Sequence, residues 1–229
     1  MISQIREPLS KLAQPIIIFF AKMKIHPTVF TVIGLLLSIA AGVFLALDNF
    51  LAAFILLWFG GAMDFIDGGV ARYNNLESQK GSFLDSVIDR ISDIAVFGGI
   101  IFSSYVFALE GTIMVTATLV VSYIRAKGES IGIKGMATGL IERAERWMLL
   151  MLLLFISLIV PNSAFIGGTI GNPIGYYITI FNGTYLISYF AIGYMILTAL
   201  SVITVLQRFI YVSIKLTKAE AAQEVQVQK

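Results

Sequence analysis

Residues 29–47 run without a single charged side chain, and five further apolar stretches follow along the chain. A membrane-crossing helix takes about 20 residues at about 1.5 Å of rise each. Backbone polar groups in hydrocarbon must be satisfied within the segment, so such stretches have few options besides helix. Of the 229 residues, 58% are hydrophobic and 13% charged, against about 45–50% and about 25% in ordinary globular chains. That balance excludes a soluble enzyme, a disordered chain and a nucleic-acid-binding protein. The absence of cysteine excludes disulfides, thiolate metal sites and cysteine nucleophiles.

The expected spans are Val29–Leu47, Leu51–Arg72, Ser82–Tyr105, Thr112–Ile124, Trp147–Val160 and Tyr185–Val205. Ile2, Ile5, Leu9 and Leu12 recur at helical spacing ahead of them, with Arg6, Glu7 and Lys11 elsewhere on the wheel. This pattern predicts an amphipathic helix lying in the headgroup plane over residues 1–26. A signal peptide is the weaker reading, because the charged stretch is long and no small-residue cleavage site follows. Residues 27–217 form the six-helix body, 161–183 an uncharged Gly-, Asn- and Pro-rich loop of no assigned function, and 218–229 a disordered tail. The fold class is an all-α membrane protein with six transmembrane helices and an N-terminal interfacial helix.

Orientation follows from the basic residues. Arg6, Lys11, Lys22 and Lys24 precede the first span, and Arg72 and Lys80 separate the second from the third. Arg125, Lys127, Lys134, Arg143 and Arg146 separate the fourth from the fifth, and Arg208, Lys215, Lys218 and Lys229 follow the sixth. The other three connections carry no Lys or Arg. The positive-inside rule then places both termini in the cytoplasm.

The acids are not scattered among the loops. Asp64 and Asp67 lie three residues apart at the end of the second span, and Asp85, Asp89 and Asp93 four apart at the start of the third. Those spacings put each set on one helix face, and the short 73–81 connection makes the two helices antiparallel neighbours. An ionisable residue within a span costs about 2.5–3.5 kcal/mol, or about 10–14 kcal/mol for four if additive. Arg72 and Arg90 cannot balance five acids. Hard divalent cations can, and Mg2+ is the usual choice where phosphate is also bound. With no Cys and a single His, His26, zinc and copper are poor candidates. The structural alternative is a network of helix caps and ion pairs.

Residues 64–89 match D-x2-D-G-x2-A-R-x8-G-x3-D-x3-D at Asp64, Asp67, Gly68, Ala71, Arg72, Gly81, Asp85 and Asp89. With this pattern and the six-span layout, the chain resembles the CDP-alcohol phosphotransferases over nearly its whole length. The resemblance implies an enzyme of phospholipid biosynthesis. It would transfer the lipid-bearing phosphate of a CDP-activated lipid to an alcohol and release CMP. Asp64, Asp67 and Asp85 would be metal ligands, and Asp89 the catalytic base that also approaches the metals. Two Mg2+ ions, with Mn2+ as a substitute, would clamp the attacking and leaving oxygens. Asp64, Asp67, Gly68, Ala71, Arg72, Gly81 and Thr31 would bind the CDP-lipid. Close helix packing is the alternative role for the two glycines. Pro27, Thr31 and Gly34 are similar to a further family segment, in which Thr28 stands where Asn is usual. Asp93 lies outside the pattern and reads as a supporting or ion-pairing residue; His26 is assigned no role. The resemblance also implies a homodimer, the usual state in the family.

Arg125, Lys127, Glu142-Arg143-x2-Arg146 and Gln207-Arg208 all belong to the cytoplasmic face. Basic residues flank spans for topology alone, yet a neutral acceptor would not require so many, and an arginine cluster suits a phosphate monoester. These residues are similar to the branch using myo-inositol 1-phosphate, the phosphatidylinositol and archaetidylinositol phosphate synthases. The resemblance therefore implies that Arg125, Lys127, Arg143, Arg146 and Arg208 hold a phosphorylated polyol at the cytoplasmic membrane, with the active site facing the cytoplasm. Whether the lipid chains are ester- or ether-linked stays open. Phosphatidylglycerol phosphate synthase, or another acceptor within the family, is the nearest alternative. An ion channel or transporter is the remote one, since intramembrane acids also mark ion paths. It predicts acids spread through membrane depth, whereas these crowd one side. Asn182-Gly183-Thr184 fits a glycosylation sequon and is left unassigned.

Overall fold

The computed structural model describes residues 14–133, 135, 139–160, 177–180, 183–186 and 189–227. Residues 1–13, most of the expected interfacial helix, lie outside this set, as do Lys134, residues 161–176 of the expected loop, and Asn182.

Local chemistry marks each helix start. Helix α1 covers residues 14–22. Helix α2, Pro27–Ala46, opens with Pro27 in its first turn, where a missing N–H costs nothing. The His26 imidazole caps it by accepting from the Thr28 N–H at 3.3 Å. Asn49 caps α3, Phe50–Tyr73, through the Ala52 N–H, and Ser78 caps α4, Gln79–Ile100, through the Gly81 N–H at 3.0 Å. Helix α5 is Ala108–Ser130. Helix α6, Arg143–Ile159, starts on a reciprocal Glu142–Glu145 capping box. Helix α7 is Tyr189–Val227.

Helix α2 lies against α3 and α4, α5 and α6 pack on α7, and α3 meets α6. Leu45, Leu57, Phe97, Leu150, Leu154, Phe190 and Leu197 form the shared core. A second cluster seats Ile17 and Ala21 of α1 on Phe30, Ile66 and Val70, and the Asn74 side chain donates to the Ala21 carbonyl. Helix α1 is thereby held beside the end of α3, where the first acids lie. At the opposite end, the Asp48 carboxylate accepts from the Ser103 hydroxyl at 2.6 Å and the Ser104 N–H at 3.1 Å, tying two turns together. Outward-facing apolar residues such as Phe102, 76% exposed, and Leu36, 60% exposed, suit a hydrocarbon solvent.

Among the described residues, four helices are long and apolar enough to cross a membrane: α2, α3, α5 and the Tyr189–Glu220 part of α7. The chain is an integral membrane protein. The other two expected spans differ: α4 carries Lys80, Asp85, Asp89, Arg90 and Asp93, and α6 has 17 residues. The bounds also shift. Helix α4 ends at Ile100, short of Tyr105, and α5 continues past Ile124 through its charged end to Ser130. The body is all-helical, as expected, with one addition in the connection to α7. Tyr177–Ile180 and Gly183–Leu186 pair as a two-stranded antiparallel hairpin, β1 and β2, with Ile180 opposite Gly183. Both strands are rich in β-branched and aromatic residues, and the last helix accordingly begins at Tyr189 rather than Tyr185. At its far end α7 remains helical to Val227, because Ala219–Glu224 is composed of strong helix formers.

The α2–α4 crossing depends on missing side chains. A Cβ on Gly99 would run into the backbone of Gly42, and one on Gly42 into the backbone of Ala95, whereas one on Gly98 would meet nothing within 4 Å. Gly99→Ala is therefore expected to cost as much as, or more than, the about 1–3 kcal/mol typical of overpacking, since backbone cannot swing aside. Gly98→Ala should be near neutral. Thermal unfolding of the two variants in detergent checks the contrast.

Candidate active site

The last turns of α3 supply Asp64 and Asp67, and the first turns of α4 supply Asp85, Asp89 and Asp93. The Asn74–Ser78 turn between them folds the two acidic faces together. Asp64, Asp67 and Asp85 each place one carboxylate oxygen within 4.8 Å of the other two. Oxygens on opposite sides of a Mg2+ ion stand about 4.2 Å apart, so the three need little movement to share a cation. The donor set is all hard oxygen, which fits Mg2+ or Mn2+ and not a soft-ligand metal. Asp67 is buried at 8% exposure and accepts a 2.7 Å hydrogen bond from the Thr31 hydroxyl of α2, which fixes its rotamer. The Asp64 side chain is 51% exposed, leaving that side of the group open.

Asp89 does not join the three. Its Oδ1 meets the Arg143 Nη1 at 2.8 Å and its Oδ2 the Arg90 Nη1 at 3.4 Å. Asp89, expected as a fourth metal ligand, is here engaged by the α6 guanidinium. The same Nη1 lies 3.7 Å from Asp64. Asp89 stands beside the three-carboxylate group, where a proton acceptor is of use.

A cleft of about 380 Å³ opens next to the carboxylates. Among its lining residues are Thr31, Asp67, Gly68, Ala71, Arg72, Gly81 and Asp85. Every residue singled out for the CDP-lipid except Asp64 therefore borders one space. A Cβ on Gly68 would stand 3.4 Å from Arg72 Nη1, so a larger residue there would displace the arginine that faces the cleft. His26, Thr28 and Ser78 line it too. Sequence reading gave none of these three a role; the signal for His26 and Ser78 was their place just before a helix, since both are N-caps.

The five cations proposed for the acceptor are distributed unevenly. Arg143 sits among the acids, with its Nε 3.2 Å from Asp93 and its guanidinium 5.1 Å from the centre of the Trp147 ring. Arg146 is fully buried, 3.8 Å from Asp93, and its Nε and Nη1 have no hydrogen-bond partner among the described residues. Arg208 is buried at 3% exposure and donates to the Val121 carbonyl at 3.1 Å. Arg146 lies within electrostatic range of Arg143, Arg208 and Arg90, and Arg208 within range of Arg125. Arg125 is exposed and paired with Glu129 at 3.0 Å, and Lys127 is exposed on the last turn of α5. The structure thus gathers Arg143, Arg146 and Arg208 inside the bundle, with Arg125 at its edge and Lys127 on the surface. The segment ahead of α6 is anchored to α7, where Leu140 N–H donates to the Gln207 side chain and Ile141 N–H to the Thr204 hydroxyl.

Comparison with known proteins identifies the family. The family profile described as CDP-alcohol phosphatidyltransferase matches residues 24–181. The archaetidylinositol phosphate synthase of Aeropyrum pernix is 32% identical over 149 residues, covering 65% of this chain and 76% of the relative. The crystal structure of Mycobacterium tuberculosis phosphatidylinositol phosphate synthase with CDP-DAG bound superposes with a TM-score of 0.68 at 25% identity. That match covers 88% of this chain and 94% of the other. The same mycobacterial enzyme in complex with manganese and citrate gives a TM-score of 0.67 at 26% identity, covering 86% and 87%.

Proposed function

Because the chain belongs to the CDP-alcohol phosphatidyltransferase family, we propose that it transfers a phosphatidyl-type group from a CDP-activated lipid to myo-inositol 1-phosphate, releasing CMP. The observation that carries the acceptor is Arg146. A buried guanidinium whose Nε and Nη1 have no partner among the described residues, and whose ion pair to Asp93 spans 3.8 Å, has capacity for a further anion, and Arg143 and Arg208 lie within its electrostatic range. A phosphate monoester meets that requirement beside Asp89, and both the Aeropyrum relative and the mycobacterial neighbours are named inositol phosphate synthases.

In this reading the cytidine of the donor enters the cleft at Gly68, Ala71 and Gly81, where small residues permit close approach. Its pyrophosphate lies at the mouth beside Arg72. Asp64, Asp67 and Asp85 would hold the divalent cations, Mg2+ by preference, which when bound neutralise the pyrophosphate and make its phosphorus more electrophilic. Asp89 takes the proton of the acceptor hydroxyl as that oxygen bonds to the lipid-bearing phosphorus, and the bond from phosphorus to the bridging pyrophosphate oxygen breaks to release CMP. Arg143, Arg146 and Arg208 hold the acceptor's phosphate, with Arg125 and Lys127 at the entrance. The lipid tails stay against the outer apolar surface. Helices α4 and α6 complete six crossings, with both termini and the site on the cytoplasmic side of the cell membrane. The family resemblance also supports a homodimer.

Radiolabelled CDP-lipid offered in parallel with inositol 1-phosphate, glycerol 3-phosphate, serine and free inositol tests the acceptor. Phosphorylated inositol lipid as the main product is expected; faster turnover with glycerol 3-phosphate would overturn the choice. Arg143→Ala should raise the acceptor KM about tenfold or more, as loss of a charge-assisted hydrogen bond does, with a smaller change in the CDP-lipid KM. Equal changes in both would count against an acceptor contact.

A further inference from the structure

Asp93 stands four residues beyond the last motif aspartate, is 1% exposed, and takes no part in the transfer described above. A carboxylate at such depth persists only where partners offset its desolvation, and these come from one face of α6. Its Oδ1 receives the Trp147 indole N–H at 2.7 Å and the Arg143 Nε at 3.2 Å, and its Oδ2 faces Arg146 at 3.8 Å. Arg143 and Trp147 are one helical turn apart, with the guanidinium over the indole ring. A guanidinium is planar and rigid, so fixing Nε and one ring face sets where the two terminal nitrogens point. Nη1 points to Asp89 Oδ1 at 2.8 Å, and Nη2 makes no hydrogen bond among the described residues.

We propose that Asp93 is a positioning residue for the transfer: it clamps Arg143 through Nε and the Trp147 stack, holding the terminal nitrogens between Asp89 and the acceptor's phosphate. Asp93 touches neither substrate and acts through Arg143. The inference rests on the reading of Arg143 as an acceptor contact. An ion pair that merely joins α4 to α6 would lower stability when broken without favouring one substrate over the other.

The test is a double-mutant cycle on the full chain in detergent, with both KM values and Mn2+ affinity measured for wild type, Asp93→Asn, Arg143→Gln and the paired variant. Asp93→Asn keeps an acceptor for the indole but weakens the hold on Arg143. It should raise the acceptor KM about tenfold while the CDP-lipid KM and Mn2+ affinity stay within about twofold. Asp93→Glu should recover part of the loss. The paired variant should match Arg143→Gln alone in acceptor KM within about twofold, because Asp93 hydrogen-bonds Arg143 but makes only a 3.8 Å ion pair, without a hydrogen bond, to Arg146. Equal rises in both KM values, or single effects that multiply in the paired variant, overturn the proposal. If Asp93→Asn does not fold, comparison of the paired variant with Arg143→Gln decides; if neither folds, the clamp is structural and the inference falls. If wild type prefers another alcohol, the acceptor reading fails separately, and the same cycle run with that alcohol still decides the role of Asp93.

Discussion

Asp67→Ala is expected to lower kcat by about 10³-fold or more and to weaken Mn2+ and nucleotide binding together. Asp67 contributes one of three oxygens held within 4.8 Å of one another, and its rotamer is locked by the Thr31 hydroxyl. Its loss leaves Asp64 and Asp85 on different helices without the group that joins them, and Thr31 without its acceptor. Because Asp67 also lines the cleft proposed for the nucleotide, donor affinity should fall as well. Mn2+ titration followed by electron paramagnetic resonance, alongside CMP release, measures both losses. Retention of wild-type Mn2+ affinity would show that the three carboxylates do not form the metal site.

Asp89→Asn should separate chemistry from binding. The substitution keeps the shape of the side chain, so the cleft and the three-carboxylate group are undisturbed, but an amide cannot take the proton of the attacking hydroxyl. General-base removal lowers rates by about 10²–10⁴-fold, and kcat should fall by that amount while CDP-lipid and Mn2+ affinities change little. Arg143 loses its 2.8 Å ion pair in this variant, so a modest change in acceptor KM accompanies the loss. A single-turnover measurement with saturating substrates gives the chemical step directly. Near-normal turnover would exclude Asp89 as the base. A large loss of Mn2+ affinity would instead return it to the metal site.

The acidic site was legible because its information is local. Spacings of three and four on two helices joined by one short turn leave little freedom in where Asp64, Asp67 and Asp85 can point. The glycine-lined cleft was legible for the same reason, most of its residues lying within one helix–turn–helix stretch, with His26 to Thr31 added from the start of α2. The burial of Arg146 and Arg208 was not. The sequence assigns both to the acceptor's phosphate at the cytoplasmic face, but whether a cation at the end of a span faces lipid, water or the bundle depends on how α6 and α7 are rotated in their packing, which no short spacing encodes. The pairing of Asp89 with Arg143 was hidden for the same reason, since Arg143 arrives from a helix more than fifty residues away in sequence. The β1–β2 hairpin was hidden differently. Its strands lie in an uncharged stretch whose Gly, Asn and Pro residues read as loop, and four-residue strands leave too short an alternation to stand out.

Helix α7 has 39 residues and so extends about 58 Å, nearly twice the hydrocarbon thickness of a bilayer. Thr204 and Gln207 grip the backbone at Ile141 and Leu140, immediately before Arg143. A rod of that length acts as a lever arm: a small change in its tilt, such as a thinner or thicker bilayer imposes, displaces the gripped segment with it. Arg143 follows two residues after Ile141, so the cation that meets Asp89 would shift with that segment.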